Sequence, residues 1–192
     1  MPKRRRGGRS HWRLWLTLAV MTACVAGAAV AVWKYNLRVL QAPMDHVLAD
    51  HAENGRISVR AHYRQYVHND VLVLDLRGLS GEPTRMDIFS AMLDYAAALK
   101  QTRFREIIFA SNGREKFAMD GAYFQQLGCD YKASDPLAAL YVVWEFPGHI
   151  FDMQGRRPYF APQDPDFAHR VDHFNRFMTD WYEKDVTVVE KK

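Results

Sequence analysis

Twenty consecutive residues, Leu14 to Trp33, carry no charge and lie between Arg13 and Lys34. This run constrains the rest of the chain more than any other feature. At about 1.5 Å per residue, a helix of that length spans roughly 30 Å, the thickness of a bilayer's hydrocarbon core. The run therefore predicts a transmembrane anchor over 14–33, preceded by a basic tail over 1–13. Residues 1–34 hold seven Lys/Arg and no acid; of 26 Lys/Arg in all, 19 then remain to face 22 acids, so the segment after the anchor is net −3 although the chain is +4. Lys and Arg stay on the cytoplasmic side of a span. The asymmetry places the N-terminus in the cytoplasm, the anchor in the inner (plasma) membrane, and the C-terminal domain outside, in the periplasm if the cell is a bacterium. Trp12, Trp15, Trp33 and Tyr35 bracket the run as interfacial aromatics do. A mildly acidic domain lacks the basic face that phosphate neutralisation requires, so nucleic acid is not expected as a partner.

Two further fates of the same segment lead to the same compartment. Ala26-Gly27-Ala28 offers small residues for cleavage of a secretory signal, and Met21-Thr22-Ala23-Cys24 resembles a lipoprotein signal with Cys24 as the acylated residue. Against both, the sequence stays apolar through Trp33, where a processed signal gives way to polar residues; the uncleaved anchor is the preferred reading. Cys129 is the one cysteine beyond the segment. No disulfide can form within the exported domain, whose stability must come from its core.

The remaining chain reads as a linker over 34–56 followed by a single domain over 57–192. Met44, Val47 and Leu48 in the linker have the spacing of a short amphipathic helix. Ile57 to Val67 sets Val59, Ala61 and Tyr63 against Arg60, His62 and Arg64, a strand with one wet face. A turn is expected at His68-Asn69-Asp70, then a buried strand at Val71 to Leu76. Thr84 and Asp87 have the spacing of a capping box and open a helix that runs to about Gln101. Ile107 to Ala110 is a second buried strand, parallel to the first, because a helix joins them. Asn112-Gly113 is a strong hairpin signal. Asp120 should cap a small helix stopped by Gly128, Ala138 to Phe146 reads as a further strand, and Phe167, Val171, Phe174, Met178 and Trp181 mark the stripe of a final packing helix. Val186 to Val189 suits a short edge strand. The fold class expected is α/β: a mixed sheet built as hairpin, helix, hairpin, with a C-terminal packing helix and one transmembrane helix in front.

Candidate chemistry is sparse. Asp75 and Arg77 fall near the C-terminal end of the central strand, where open α/β sheets bind ligands. With His149 they form a candidate hydrolytic set, against which stands a plain ion pair or loop cap. His169 and His173 have the i, i+4 spacing of shared metal ligands. They lie opposite the apolar stripe with no third ligand in sight, so no metal is expected, and no motif implies a cofactor. Trp144, Phe151, Tyr159 and Phe160 make an aromatic-rich stretch that would supply a protein-binding patch if exposed. The function expected is that of a membrane-anchored extracytoplasmic domain that binds a protein partner or serves an envelope assembly. The alternative is an anchored hydrolase that uses Asp75 and a histidine.

Overall fold

The computed structural model describes residues 9–51, 55–131, 142–159, 167–185 and 188–189. The chain falls into two units, Met1–Tyr35 and Asn36–Lys192.

Helix α1 (Arg9–Asn36) contains the apolar run. It is long and apolar enough to cross a membrane, and none of its most apolar window is buried. Trp15, Val25 and Trp33 are all more than half exposed. Thr22 donates its hydroxyl to the Leu18 carbonyl (2.9 Å), which satisfies a polar group inside an apolar segment.

The second unit is a six-stranded mixed sheet with helices, in the α/β class the sequence predicts. Its elements are α2 (Ala42–Asp50), β1 (Gly55–Arg64), β2 (His68–Gly81), α3 (Arg85–Ala98), β3 (Glu106–Ser111), β4 (Arg114–Asp120), α4 (Gly121–Asp130), β5 (Ile150–Asp152), α5 (Phe167–Met178) and β6 (Val188–Val189). The strands lie in the order β1-β2-β3-β4-β5, with β6 also paired to β2. The β2 and β3 strands are parallel and α3 connects them; β1/β2 and β3/β4 are antiparallel hairpins. The capping box of α3 is complete, with Thr84 Oγ1 accepting from the Asp87 amide (3.2 Å) and Asp87 Oδ2 accepting from the Thr84 amide (2.7 Å). Asn112 (φ 49°) and Gly113 (φ 81°) are both left-handed, as a tight primed hairpin turn requires. Asp120 caps α4 through the amides of Ala122 and Tyr123.

One large cluster gathers the buried residues of α2, α3, α4 and α5 with Leu72, Leu74, Leu76, Ile107, Phe109, Phe117 and Met119 from the sheet. Phe177 stands at its centre, fully buried, with the rings of Phe109, Phe117, Phe146, Tyr159 and Trp181 all within 6 Å of its own. A π-turn, Thr179–Glu183, extends α5, and Trp181 within it donates its indole N–H to the Ala110 carbonyl (2.9 Å).

Several sequence expectations change. The β1–β2 turn falls at residues 65–67 instead of 68–70: Tyr63 pairs with Leu72, both buried, so the strand alternation has to continue back to His68. The strand expected over Val71 to Leu76 continues to Gly81, because β2 pairs with β1 that far, past an irregularity at Ser58/Val59. Residues 142–145 are helical and Phe146–His149 is a 3-10 turn, where a strand was expected; residues 138–141 lie outside the described residues. Val142, Val143 and Phe146 bury one helical side there, and periodicity cannot separate so short an apolar run from a strand. Helix α4 does not stop at Gly128 but continues to Asp130. Gly128 is instead a crossing point, where a Cβ would lie 2.2 Å from the Ala96 carbonyl oxygen.

The stretch read as a linker belongs to the domain. Leu40, Met44 and Val47 are buried in the large cluster. A π-turn, Leu37–Gln41, precedes α2. Asn36, just before it, and Gln41, its last residue, both reach the outer edge of β1. Gln41 donates to the Val59 carbonyl (3.0 Å) and accepts from the Ala61 amide (2.8 Å). Asn36 accepts from the Tyr63 amide (2.8 Å) and donates to the Tyr66 carbonyl (3.1 Å). Two side-chain amides thus stand in for a neighbouring strand, closing an edge that would otherwise invite foreign pairing. Asn36 is 3% exposed, so Asn36→Ala should remove its bonds to the Tyr63 amide and the Tyr66 carbonyl and cost about 1–3 kcal/mol. Urea unfolding of the detergent-solubilised protein measures that loss.

Candidate functional site

Strand alternation gives the sheet a second face. Val71, Val73, Ile108 and Ala110 form a small separate cluster there, and no described helix contributes to it. By register, His62, Val73, Ile108, Ala118 and Phe151 make one row across this face, and Arg60, Asp75, Ala110 and Glu115 the next. Long polar side chains cover the apolar centre. Arg64 on β1 and Glu115 on β4 form a two-pronged ion pair (3.0 and 2.6 Å) that crosses the two strands between them. The His62 ring stacks on Tyr66 (4.7 Å), and the Arg157 guanidinium sits 4.9 Å from the centre of the Phe151 ring.

Asp75 lies on this face and is 2% exposed. One carboxylate oxygen accepts the Gly113 amide (3.0 Å) and the other pairs with Arg77 (2.5 Å). The first contact ties Asp75 to the β3–β4 turn and the second pairs it with Arg77 on its own strand. His149 is elsewhere. Its ring stacks on Tyr123 (3.6 Å between centres), and burial pushes its pKa below the ordinary histidine value. The register puts His149 level with Val71 and three strands from β2. At about 4.8 Å per strand and 3.3 Å per residue it lies on the order of 20 Å from Asp75. The two do not converge, so these residues form no joint acid–base site.

The aromatic candidates are dispersed. Tyr159 is buried against Phe117 and Phe177 and donates its hydroxyl to Asp180 (2.9 Å). Burial pushes the Asp180 carboxyl up, but hydrogen bonds from Lys184 and Tyr159 outweigh it and hold the group below the usual carboxylate range. Trp144 is half-buried under the Arg170 guanidinium, which also pairs with Glu145 (3.3 Å). Phe151 alone of these belongs to the open face by register. Phe160 lies outside the described residues. His169 is exposed and His173 half-buried on α5, and the described residues contain no group of three His, Cys, Asp or Glu that could hold a metal. Cys129 is exposed on α4. A shallow polar cleft of about 500 Å³ is lined by Arg85, Asp172, Asn175, Arg176, Thr179, Asp180 and Lys184, and it contains none of Asp75, Arg77 or His149. Its charges are largely engaged, Arg85 with Glu183 (2.6 Å) and Lys184 with Asp180 (2.5 Å).

What the sequence reading did not single out is the stripe on β1. Arg56, Ser58, Arg60, His62 and Arg64 alternate with Ile57, Val59, Ala61 and Tyr63, whose side chains turn to the core. Arg56 and Arg60 are exposed and have no ion-pair partner among the described residues. The signal was present as period-two basic residues, but it was used only to recognise a strand. Compared with known protein families, curated proteins and solved structures, the chain matches none.

Proposed function

We propose that this chain is a single-pass protein of the inner (plasma) membrane, with its N-terminus in the cytoplasm and its α/β domain on the extracytoplasmic side. There it acts as a non-catalytic binding module for a protein partner in an envelope assembly. The observation that carries the binding half is the open sheet face. No described helix contributes to its small apolar cluster, and it presents the Arg56, Arg60, His62 and Arg64 stripe on a domain that is net acidic. Arg56 and Arg60, the cations of that stripe with no ion-pair partner among the described residues, select a complementary surface, so the partner presents acidic side chains to β1. Phe151, half-buried under Arg157, supplies aromatic contact area on a rigid strand. The extracytoplasmic side favours a protein over a nucleic acid as the anionic partner.

Affinity capture of the tagged full chain from cross-linked membranes tests this reading. Arg60→Glu and Phe151→Ala should each lose the partner that the native chain retains, Asp75→Asn should keep it, and capture should weaken as salt rises. Retention by Arg60→Glu together with loss in Asp75→Asn would point back to a site around Asp75 and away from the open face.

A further inference from the structure

Resting on the anchored reading above, we infer that the β1–β2 turn, residues 65–67, is seated in the headgroup layer of the bilayer and presents Tyr66 and Val67 to lipid. Trp33 ends the uncharged run and Asn36 follows three residues later in the same helix. Three residues of chain reach at most about 11 Å, so covalent connectivity alone keeps Asn36 within that distance of the end of the span. Asn36 is 3% exposed and donates to the Tyr66 carbonyl (3.1 Å). The turn is thus tied by one hydrogen bond to a residue at the membrane boundary.

The turn's own geometry supports the assignment. Gln65 (φ 51°) and Tyr66 (φ 63°) are both left-handed, a conformation that side chains other than glycine rarely adopt. Such strain persists where the surroundings over-determine it. Here the Asn36 amide, the Tyr66 N–H to Tyr63 carbonyl bond (2.8 Å) and the stacked His62 ring hold it in place. The result is an outward-facing tip, with Tyr66 36% and Val67 64% exposed. Tyrosine carries an apolar ring with a polar end and is enriched at the membrane–water interface. Arg38 lies two residues after Asn36, a cation suited to lipid phosphate.

The test uses the full chain in phosphatidylcholine–phosphatidylglycerol vesicles, with a fluorophore on one cysteine at a time. V67C and Q154C are each made in a C24S/C129S background, and a C129S chain keeps Cys24. Gln154 lies in the turn after β5, which the register places at the opposite end of the sheet. Nitroxide lipids should strongly quench the labels at Cys24 and at V67C and leave Q154C unchanged, while aqueous iodide should quench Q154C far more than V67C. If Cys24 is quenched and V67C responds to iodide as fully as Q154C does, the turn faces water and the inference falls while the anchor stands. If V67C is shielded from iodide yet untouched by nitroxide lipids, a protein surface covers the turn and the inference again falls. An unquenched Cys24 overturns the anchor and the inference together.

Discussion

Gly128→Ala is expected to destabilise the protein by about 3 kcal/mol, at the upper end of what overpacking costs. The new Cβ would lie 2.2 Å from the Ala96 carbonyl oxygen, 2.4 Å from its carbon and 2.8 Å from the Ala97 nitrogen. These are backbone atoms of α3, so no side chain can swing aside; the two helices would have to separate. Helix propensity pulls the other way, since alanine is favoured over glycine inside a helix by about 1 kcal/mol. The two effects have opposite signs, and the steric one should win. Thermal unfolding should show a midpoint lower by roughly 6–12 °C. Gly78→Ala is the control, because nothing lies within 4 Å of its Cβ position. A Gly128→Ala chain more stable than the native one would show that α3 and α4 do not meet at this residue.

Phe177→Ala should be the most damaging single truncation in the core. Its ring is fully buried and faces five others, with centres 5.3 to 5.9 Å away. The sheet supplies Phe109 and Phe117 and the π-turn supplies Trp181, so the cavity would open between α5 and the strands. Buried phenylalanine truncations cost about 3–5 kcal/mol. Urea unfolding followed by tryptophan fluorescence should register that loss, and the near-ultraviolet signal of Trp181 should weaken in the folded state. Phe151→Ala, on the other face and half-buried, should change stability far less. A loss below about 1 kcal/mol at Phe177 would contradict the packing of α5 on the sheet.

The parts of the fold that were legible in the sequence are those set by local chemistry. Thr84 with Asp87, Asn112 with Gly113, and Asp120 each solve a backbone problem within three or four residues, and each does so where expected. The parallel β2/β3 pair followed from two apolar runs and the helix between them. The misses are decisions made by tertiary contact. Nothing local marks Gly128 as a helix crossing point; that role depends on Ala96, thirty-two residues earlier. Asn36 and Gln41 read as unremarkable polar residues after an anchor, and only the folded domain brings them together on the edge of β1. Phe177 lies beside the predicted apolar stripe of the last helix and was passed over, although it became the centre of the core. For the site, Asp75 pairs with Arg77, one of the plain arrangements the sequence allows, and the turn it contacts belongs to β3–β4, which only the strand order reveals. The separation of Asp75 from His149 required the strand order, and the significance of the β1 stripe required knowing which sheet face the helices cover.

The proposed topology, in which Leu14 to Trp33 anchors the chain with the α/β domain outside the cytoplasm, is open to a direct test. The two cysteines make it directly measurable, since Cys24 lies within the apolar helix and Cys129 is exposed on α4. A C24S chain in intact bacterial spheroplasts should react at Cys129 with a membrane-impermeant maleimide to the same extent before and after lysis. Reaction only after lysis would place the domain in the cytoplasm and contradict the account.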